Sequence, residues 1–453
     1  MGEALPGSAR LKAQGKAQRG EALVPELPVI LQVLPALGHG GVEQGTLEIA
    51  RALRQAGARA LVASAGGSLL PPLRACGAEH IVLDFRKSFS PLKICRQVHA
   101  LRQLLRREGV QLVHARSRWP AWIAWAACCL EGVPLVTTWH GVHAARTFIK
   151  RFYNSGLVRG ERVIAVSGEI GRRLVQEYHV PSERLRVIAR GSDPERFDPA
   201  VFGVRGFGKE ESPLAPAESA KKASAVARMA RLRERWGLRE GEIVLLLPAR
   251  LTGWKGQALA VEALGRMARQ WTCETPGAPW RCLLVGPGVQ TAYGRQLQAR
   301  IKALGLASRV QLVGSCPDMP AAYALADIVL APSLRPEPFG RVAVEAQMMG
   351  CTVVASLHGG QAETVLEGKT GILLPPGHVR ALASALAGLV ARPFTREVHE
   401  AACAARQRAV TLYAMQRMQA MTLEVYDEVL GHNTDRDRLA TRFRTVRNRA
   451  QEN

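Results

Sequence analysis

A loop-to-helix segment, Pro332-Ser333-Leu334-Arg335-Pro336-Glu337-Pro338-Phe339-Gly340-Arg341-Val342-Ala343-Val344-Glu345, carries the most chemistry in this chain. Pro336 and Pro338 do not fit a helix interior, so Glu337 between them stands in a loop. Helix formers then run from Phe339 to Met349, and Gly350 suits the position just past a helix end. A helix starting at this loop offers open N–H groups and the positive end of its dipole, a site for a diphosphate. Glu345 falls about one and a half turns inside. One carboxylate therefore stands in front of the anion site and one beside it. A carboxylate accepts two hydrogen bonds at once, which suits a vicinal diol. Glu337 is placed for sugar hydroxyls and Glu345 for ribose hydroxyls. Taken alone, two glutamates at this spacing also fit a surface loop and a solvated helix face.

Four further segments could serve the same chemistry. Arg250 and Lys255, in Pro248-Ala249-Arg250-Leu251-Thr252-Gly253-Trp254-Lys255-Gly256, follow an apolar run and open a helix. At the carboxyl end of a strand, where doubly wound sheets bind ligands, two cations can neutralise a departing diphosphate. A solvated basic loop is the plainer alternative. Gly286, in Val285-Gly286-Pro287-Gly288, follows another apolar run, although a lone Gly-x-Gly fits a simple turn as well. The Gly38-His39-Gly40-Gly41 loop is not a dinucleotide fingerprint, because Glu43 stands where a glycine would be required, but it lets backbone approach a phosphate. His140, in Thr137-Thr138-Trp139-His140-Gly141, ends an apolar run in a loop, where a structural role is the simpler reading.

The elements that must position these residues alternate. Val29–Pro35, Arg59–Ser64, Ile81–Leu83, Leu112–His114, Leu135–Thr138 and Val163–Val166 read as strands separated by helical stretches, beginning with an amphipathic helix over 42–55. A second series follows with Ile243–Pro248, Arg281–Val285, Val310–Val313, Ile328–Ala331, Thr352–Ala355 and Gly371–Leu374. This alternation predicts an α/β fold of two parallel, doubly wound sheets, and 453 residues exceed a single core. The expected organisation is a disordered leader over 1–26, a first domain over 27–200, an exposed linker or insertion over 201–237, a second domain over 238–410, a C-terminal helix over 411–431 and a loose basic tail over 432–453.

A formal charge of +23, from 61 basic against 38 acidic residues, draws the chain toward anionic partners: nucleic acid, acidic lipid or phosphorylated substrates. Aromatic residues are few and no base-reading motif occurs, which argues against nucleic acid. Nine cysteines without a C-x-x-C pair argue against a zinc site or a disulfide framework and fit a reducing cytosol. The first twenty residues lack the apolar core of a signal peptide.

As a set, the Gly-Gly loop, His140-Gly141, Arg250-(four)-Lys255-Gly256, Gly-x-Gly, Glu337-(seven)-Glu345 and Gly359-Gly360-Gln361-Ala362-Glu363 resemble the family 4 glycosyltransferases of the GT-B fold over roughly Val29 to Leu430. The resemblance implies two Rossmann-like domains facing across a cleft, the second holding a nucleotide-sugar donor and the first an acceptor. It implies retaining transfer without metal or other cofactor. Residue by residue, it implies Arg250 and Lys255 as the diphosphate clamp, Glu345 as the ribose ligand, Glu337 as the hexose ligand and the Phe339, Gly340 and Arg341 backbone as the phosphate cradle. Gly40 and Gly41 would close over the phosphates, and His140 would stand near the donor sugar. One departure is Arg190-Gly191-Ser192-Asp193, where many relatives carry Asn-Gly-Val-Asp; Arg190 could still reach a phosphate.

The reading that follows is hexosyl transfer from a UDP- or GDP-sugar to a lipopolysaccharide, exopolysaccharide or lipid-linked saccharide acceptor. The alternatives are an epimerase or phosphorylase-like enzyme of the same architecture, or a basic nucleic-acid-binding protein. Location is expected to be cytoplasmic and peripheral to the inner membrane face. The Trp119–Leu130 apolar stretch, too short to span a bilayer, would meet an anionic surface together with Arg102, Arg106, Arg107, Arg116 and Arg118.

Overall fold

The computed structural model describes residues 28–452 except 39, 144–146, 205, 208–215, 275–278, 392–394, 433 and 435–437; the leader over 1–26 lies outside the described residues. The first sheet has seven strands: β1 (Val29–Val33), β2 (Arg59–Ser64), β3 (Glu79–Val82), β4 (Leu112–Ala115), β5 (Leu135–Trp139), β6 (Arg162–Ala165) and β7 (Leu185–Val187). All pair in parallel, in the order β3-β2-β1-β4-β5-β6-β7. The second sheet has six: β8 (Ile243–Pro248), β9 (Trp280–Val285), β10 (Val310–Gly314), β11 (Ile328–Ala331), β12 (Thr352–Ser356) and β13 (Ile372–Leu374). They too pair in parallel, in the order β10-β9-β8-β11-β12-β13.

Helices cover both faces of each sheet, so the central strands are apolar on both sides. Along β1, Ile30 joins one core while Leu31 and Val33 join the other. Along β8, Val244 and Leu246 face one core, and Ile243, Leu245 and Leu247 face the other. Each strand order reverses once, between β1 and β4 and between β8 and β11. The crevice outside the strands' carboxyl ends at such a reversal is where this architecture binds ligands.

The chain crosses between the domains twice, and both crossings revise the sequence expectation. After β7, Phe197 and Phe202 already pack in the second domain's core. The supposed linker then forms a helix, Pro216–Arg235, that buries Ala225 and Leu232 there, with Trp236 just beyond its end. Its apolar positions are sparse among Lys, Arg and Ala, which is why composition reads as linker. The return crossing breaks the expected C-terminal helix at Ala414, between Arg396–Tyr413 and Met415–Leu430. Ser192 bonds both sides of that break, its N–H to the Tyr413 carbonyl and its carbonyl to the Met415 N–H, each at 2.9 Å.

The basic tail is not loose where it is described. Leu439–Glu452 is a helix, and Leu439, Ala440 and Phe443 are buried against the first domain with Leu423 and Tyr426. Its first N–H groups, of Leu439 and Ala440, donate at 2.8 and 3.0 Å to the buried Asp427 carboxylate. That carboxylate comes from the preceding helix, so tertiary packing supplies it.

Candidate active site

In the second domain the reversal point brings the loop after β8 against the loop after β11. Lys255 ends a short 3-10 turn, Gly253–Lys255, and its Nζ lies 2.6 Å from Glu337 Oε1. Both side chains are largely buried, at 17% and 14% exposure. Ser333 Oγ donates to the same carboxylate oxygen, and Leu334 N–H donates to the Trp254 carbonyl at 2.7 Å, tying the loops together. Glu337 sits in a loop, as its flanking prolines require. Its carbonyl accepts from Gly360 N–H at 2.8 Å, which fixes the backbone against the glycine pair after β12.

The helix that follows runs Arg341–Met348. Gly340 caps it at φ +96°, a left-handed conformation that glycine adopts without penalty, and it has no side chain to occupy the first-turn N–H groups. That helix start therefore stays open beside Glu337. Inside it, Glu345 accepts from the Tyr323 hydroxyl at 3.2 Å and lies 3.8 Å from Arg341 Nε. Burial raises the Glu345 carboxyl above the usual carboxylate range, and the Arg341 guanidinium opposes that rise.

Arg250 is exposed just past β8. Gly286 stands behind it: a Cβ there would lie 2.1 Å from the Ala249 carbonyl oxygen, and φ is +154°. The glycine thus lets the loop after β9 press against the loop that presents Arg250, with Leu251 N–H donating to the Pro287 carbonyl at 2.9 Å. In this arrangement Gly286 packs the site.

The Arg341 side chain does not turn to the helix start. Its guanidinium crosses to the first domain, donating to Glu48 at 2.9 Å and to the Gly191 carbonyl at 3.0 Å. Glu48 also lies 3.5 Å from Arg190, which in turn donates to the Gly41 carbonyl at 2.8 Å. Arg190 is buried and committed to these partners, and burial pushes its guanidinium down to about 9. Gly40, extended, and Gly41 open the Gly41–Gln55 helix and are held from below by Arg190. Sequence reasoning missed Glu48. The one available signal was an acidic residue between Leu47 and Ile49 in a run that is buried on all sides.

Glu363, of the Gly359-Gly360-x-x-Glu motif, also joins the domains. Its carboxylate accepts from Gly168 N–H at 2.8 Å and from Glu169 N–H, at the start of the first-domain helix Gly168–Tyr178. Ser167 Oγ adds a 2.6 Å bond to the Pro338 carbonyl, directly behind Glu337.

His140 follows β5 and lines a cavity of about 430 Å³ in the first domain together with Arg116. Its Nε2 is buried without a hydrogen-bond partner. Burial, reinforced by Arg116 and Arg190, holds its pKa well below the usual histidine value, so the imidazole is neutral at pH 7. Among the described residues, no three His, Cys, Asp or Glu side chains converge as a metal-binding group.

The Trp119–Leu130 stretch is buried along one face and partly exposed along the other, with Leu130 exposed at its end. It forms the helix Arg118–Glu131, which buries Ala121, Ile123, Ala124, Ala127 and Cys128. Trp122 donates to the Tyr153 carbonyl, Arg102 and Arg106 both pair with Glu131, and Arg116 is 3% exposed. Among the described residues, no helix is long and apolar enough to cross a membrane.

Two family models match: Glycosyltransferase Family 4 over residues 39–196 and Glycosyl transferases group 1 over 229–408. A D-inositol 3-phosphate glycosyltransferase of Rhodococcus erythropolis is 30% identical over 71% of this chain and 69% of its own length. The chain belongs to the family 4 glycosyltransferases. A GDP-mannose-dependent alpha-(1-6)-phosphatidylinositol monomannoside mannosyltransferase of Mycolicibacterium smegmatis is 31% identical over 56% of this chain and 58% of its own. Among solved structures, a Rickettsia africae glycosyltransferase superposes with a TM-score of 0.77 at 29% identity, over 90% of this chain and 100% of that one. Anabaena HepE in complex with UDP-glucose shares the GT-B fold, with a TM-score of 0.70 at 24% identity over 88% of this chain and 99% of that one. This family 4 member is thus a hexosyltransferase of the kind that uses nucleotide-sugar donors, and the reading as a nucleic-acid-binding protein is set aside.

Proposed function

We propose that this transferase moves a hexose from a UDP- or GDP-sugar to a saccharide acceptor with retention at the anomeric carbon. The observation that carries this is the Lys255–Glu337–Ser333 cluster beside the open helix start at Gly340, at the reversal point of the second sheet. The donor diphosphate lies on the N–H groups of Phe339 to Arg341, with Lys255 and Arg250 meeting its charge, so that no metal is required. Glu337 takes hexose hydroxyls and Glu345 takes the ribose diol. Gly40 and Gly41 close over the phosphates from the first domain.

In the transfer step the bond from the anomeric carbon to the diphosphate oxygen breaks, and its electron pair leaves on the diphosphate. The acceptor hydroxyl oxygen bonds to the same carbon from the same face, and its proton passes to the departing phosphate oxygen. Arg250, Lys255 and the helix start stabilise the charge that develops there. His140, neutral and with a free Nε2, is available to accept a hydrogen bond from, or donate one to, a hydroxyl of the transferring hexose. NMR of the product made from an α-linked donor tests the stereochemistry: an α-linked product is expected, and a β-linked product would overturn retention.

For the acceptor, the reading is a lipopolysaccharide, exopolysaccharide or lipid-linked saccharide, approached in the cytoplasm at the inner membrane face. Two relatives act, by name, on D-inositol 3-phosphate and phosphatidylinositol monomannoside, which supports a polar headgroup acceptor. The surface that best supports membrane approach is not the Trp119–Leu130 helix, whose apolar residues largely face the core. It is the exposed set Phe89, Phe148, Ile149 and Phe152, with Lys87, Lys93 and Lys150 exposed among them.

A further inference from the structure

The first-domain cavity lined by His140 is electrically one-sided. Arg86, Lys87, Arg116 and Arg118 line it, and among the described residues no carboxylate does. Arg86 is answered at the rim by Asp84, at 2.8 Å. Among the described residues Lys87 and Arg118 have only neutral or aromatic partners, and Arg116 has no hydrogen-bonded carboxylate, although Glu48 acts on it through space. Lys87 lies over the rings of Phe89 and Tyr153, at 4.5 and 4.4 Å. Arg118 donates to the Asn154 amide at 3.2 Å and lies 5.1 Å from the Tyr153 ring. Arg116 is the decisive one. It is 3% exposed, its NH1 donates to the Gln32 amide at 3.1 Å, and its Nε is buried without a partner. A guanidinium withdrawn from water with an unused donor is costly unless something negative completes it. Beside these cations the rings of Trp119 and Tyr153 stack at 6.5 Å with a 26° tilt, giving the cavity a flat apolar wall.

We propose that this cavity receives the acceptor by an anionic group, a phosphate ester or a carboxylate, held by Lys87, Arg116 and Arg118, with the acceptor's sugar ring against Trp119 and Tyr153. The assignment rests on the transferase reading and narrows it: the acceptor carries a negative charge close to the hydroxyl that is glycosylated. The anion completes Arg116, and Lys87 and Arg118 supply the charge-assisted bonds that distinguish the ester from its neutral parent.

The test uses the full chain with its donor site saturated by UDP or GDP, so that the second domain's cations are occupied. Calorimetric titration then compares inositol and hexose monophosphates with the unphosphorylated parents. The monophosphate should bind at least about tenfold more tightly than its parent. Lys87→Ala, at an exposed position, and Arg118→Ala should each remove about tenfold of that preference, and nucleotide affinity should stay within about twofold. Arg118→Lys should retain part of it, which a purely structural role would not produce. A second arm uses phosphatidylinositol vesicles. Binding to vesicles alone assigns the anion to a lipid headgroup, and binding to soluble monophosphate assigns it to a free ester; either upholds the site if Arg118→Ala, at a residue outside the exposed Phe89, Phe148, Ile149 and Phe152 set, weakens it. Equal affinity for monophosphate and parent, or variants that change nothing, would overturn the proposal. A wild-type chain that binds no nucleotide would instead count against the transferase reading, and phosphate preference lost in Lys87→Ala would still place the anion site here.

Discussion

Lys255 and Glu337 hold each other, so the cation and the carboxylate are set at one spacing by a 2.6 Å bond within loops locked by Ser333 and Gly360. On the proposed reading, such preorganisation lowers the reorganisation needed when the diphosphate departs. It also means that removing Lys255 takes a charge from the phosphate and a partner from Glu337. Lys255→Ala is expected to weaken nucleoside diphosphate binding by about 2 kcal/mol, the range of a charge-assisted hydrogen bond, and to leave the nucleoside nearly unaffected. Calorimetry with both ligands measures this, and equal losses would contradict the clamp. At this scale the sequence showed part of the site. The prolines placed Glu337 in a loop and the Arg-(four)-Lys spacing marked a cationic loop. It could not show that Arg341 reaches away from the helix start to Glu48, or that Arg190 is spent on the Gly41 carbonyl, because both contacts join residues about 150 or more positions apart.

Elements were legible where one periodicity dominated. The short apolar runs of β1, β5, β8 and β9 marked strands that lie inside their sheets. The edge strand β7, three residues with Arg186 in the middle and only partial burial, has no such signal. The 432–453 segment misled for a related reason: its apolar contacts are few and its cap is Asp427, in another helix. Yet Phe443 is 1% exposed, so the tail helix is part of the first domain's core. Phe443→Ala should cost about 3–5 kcal/mol through lost burial and the cavity left behind, lowering the melting temperature by roughly ten degrees. Thermal unfolding measures it. A variant as stable as the wild type would mean that the helix does not hold that position in solution.

Across the whole molecule the two domains meet through charge and backbone rather than through a shared apolar core. Arg341 reaches Glu48, Glu363 caps the Gly168–Tyr178 helix, and the Ser192–Ala414 pairing joins the crossings. Polar interfaces of this kind permit relative motion of domains, which the proposed enclosure of a donor between them would require. The doubly wound pair was legible from the two strand series, whereas the interface was not, since it is built from residues that look like solvated charge in a chain of net +23. That same excess, together with exposed Phe89, Phe148, Ile149 and Phe152, leads us to expect sedimentation with anionic but not neutral vesicles, weakening as salt is raised. Replacing Phe148 and Ile149 together by Ser should reduce it, and absence of anionic-vesicle binding at low salt would rule the membrane approach out. The central claim, that the Glu337 cluster holds the sugar of a nucleotide-sugar donor, is tested most directly by nucleotide release from a panel of UDP- and GDP-hexoses by the wild type and Glu337→Ala. The wild type should turn over at least one donor saturably. On that donor the variant should lose about 2–4 kcal/mol of transition-state stabilisation, roughly 30- to 1000-fold in rate, while binding the free nucleoside diphosphate almost unchanged. A Glu337→Ala enzyme with normal turnover, or a wild type that releases nucleotide from none of the donors, would contradict it.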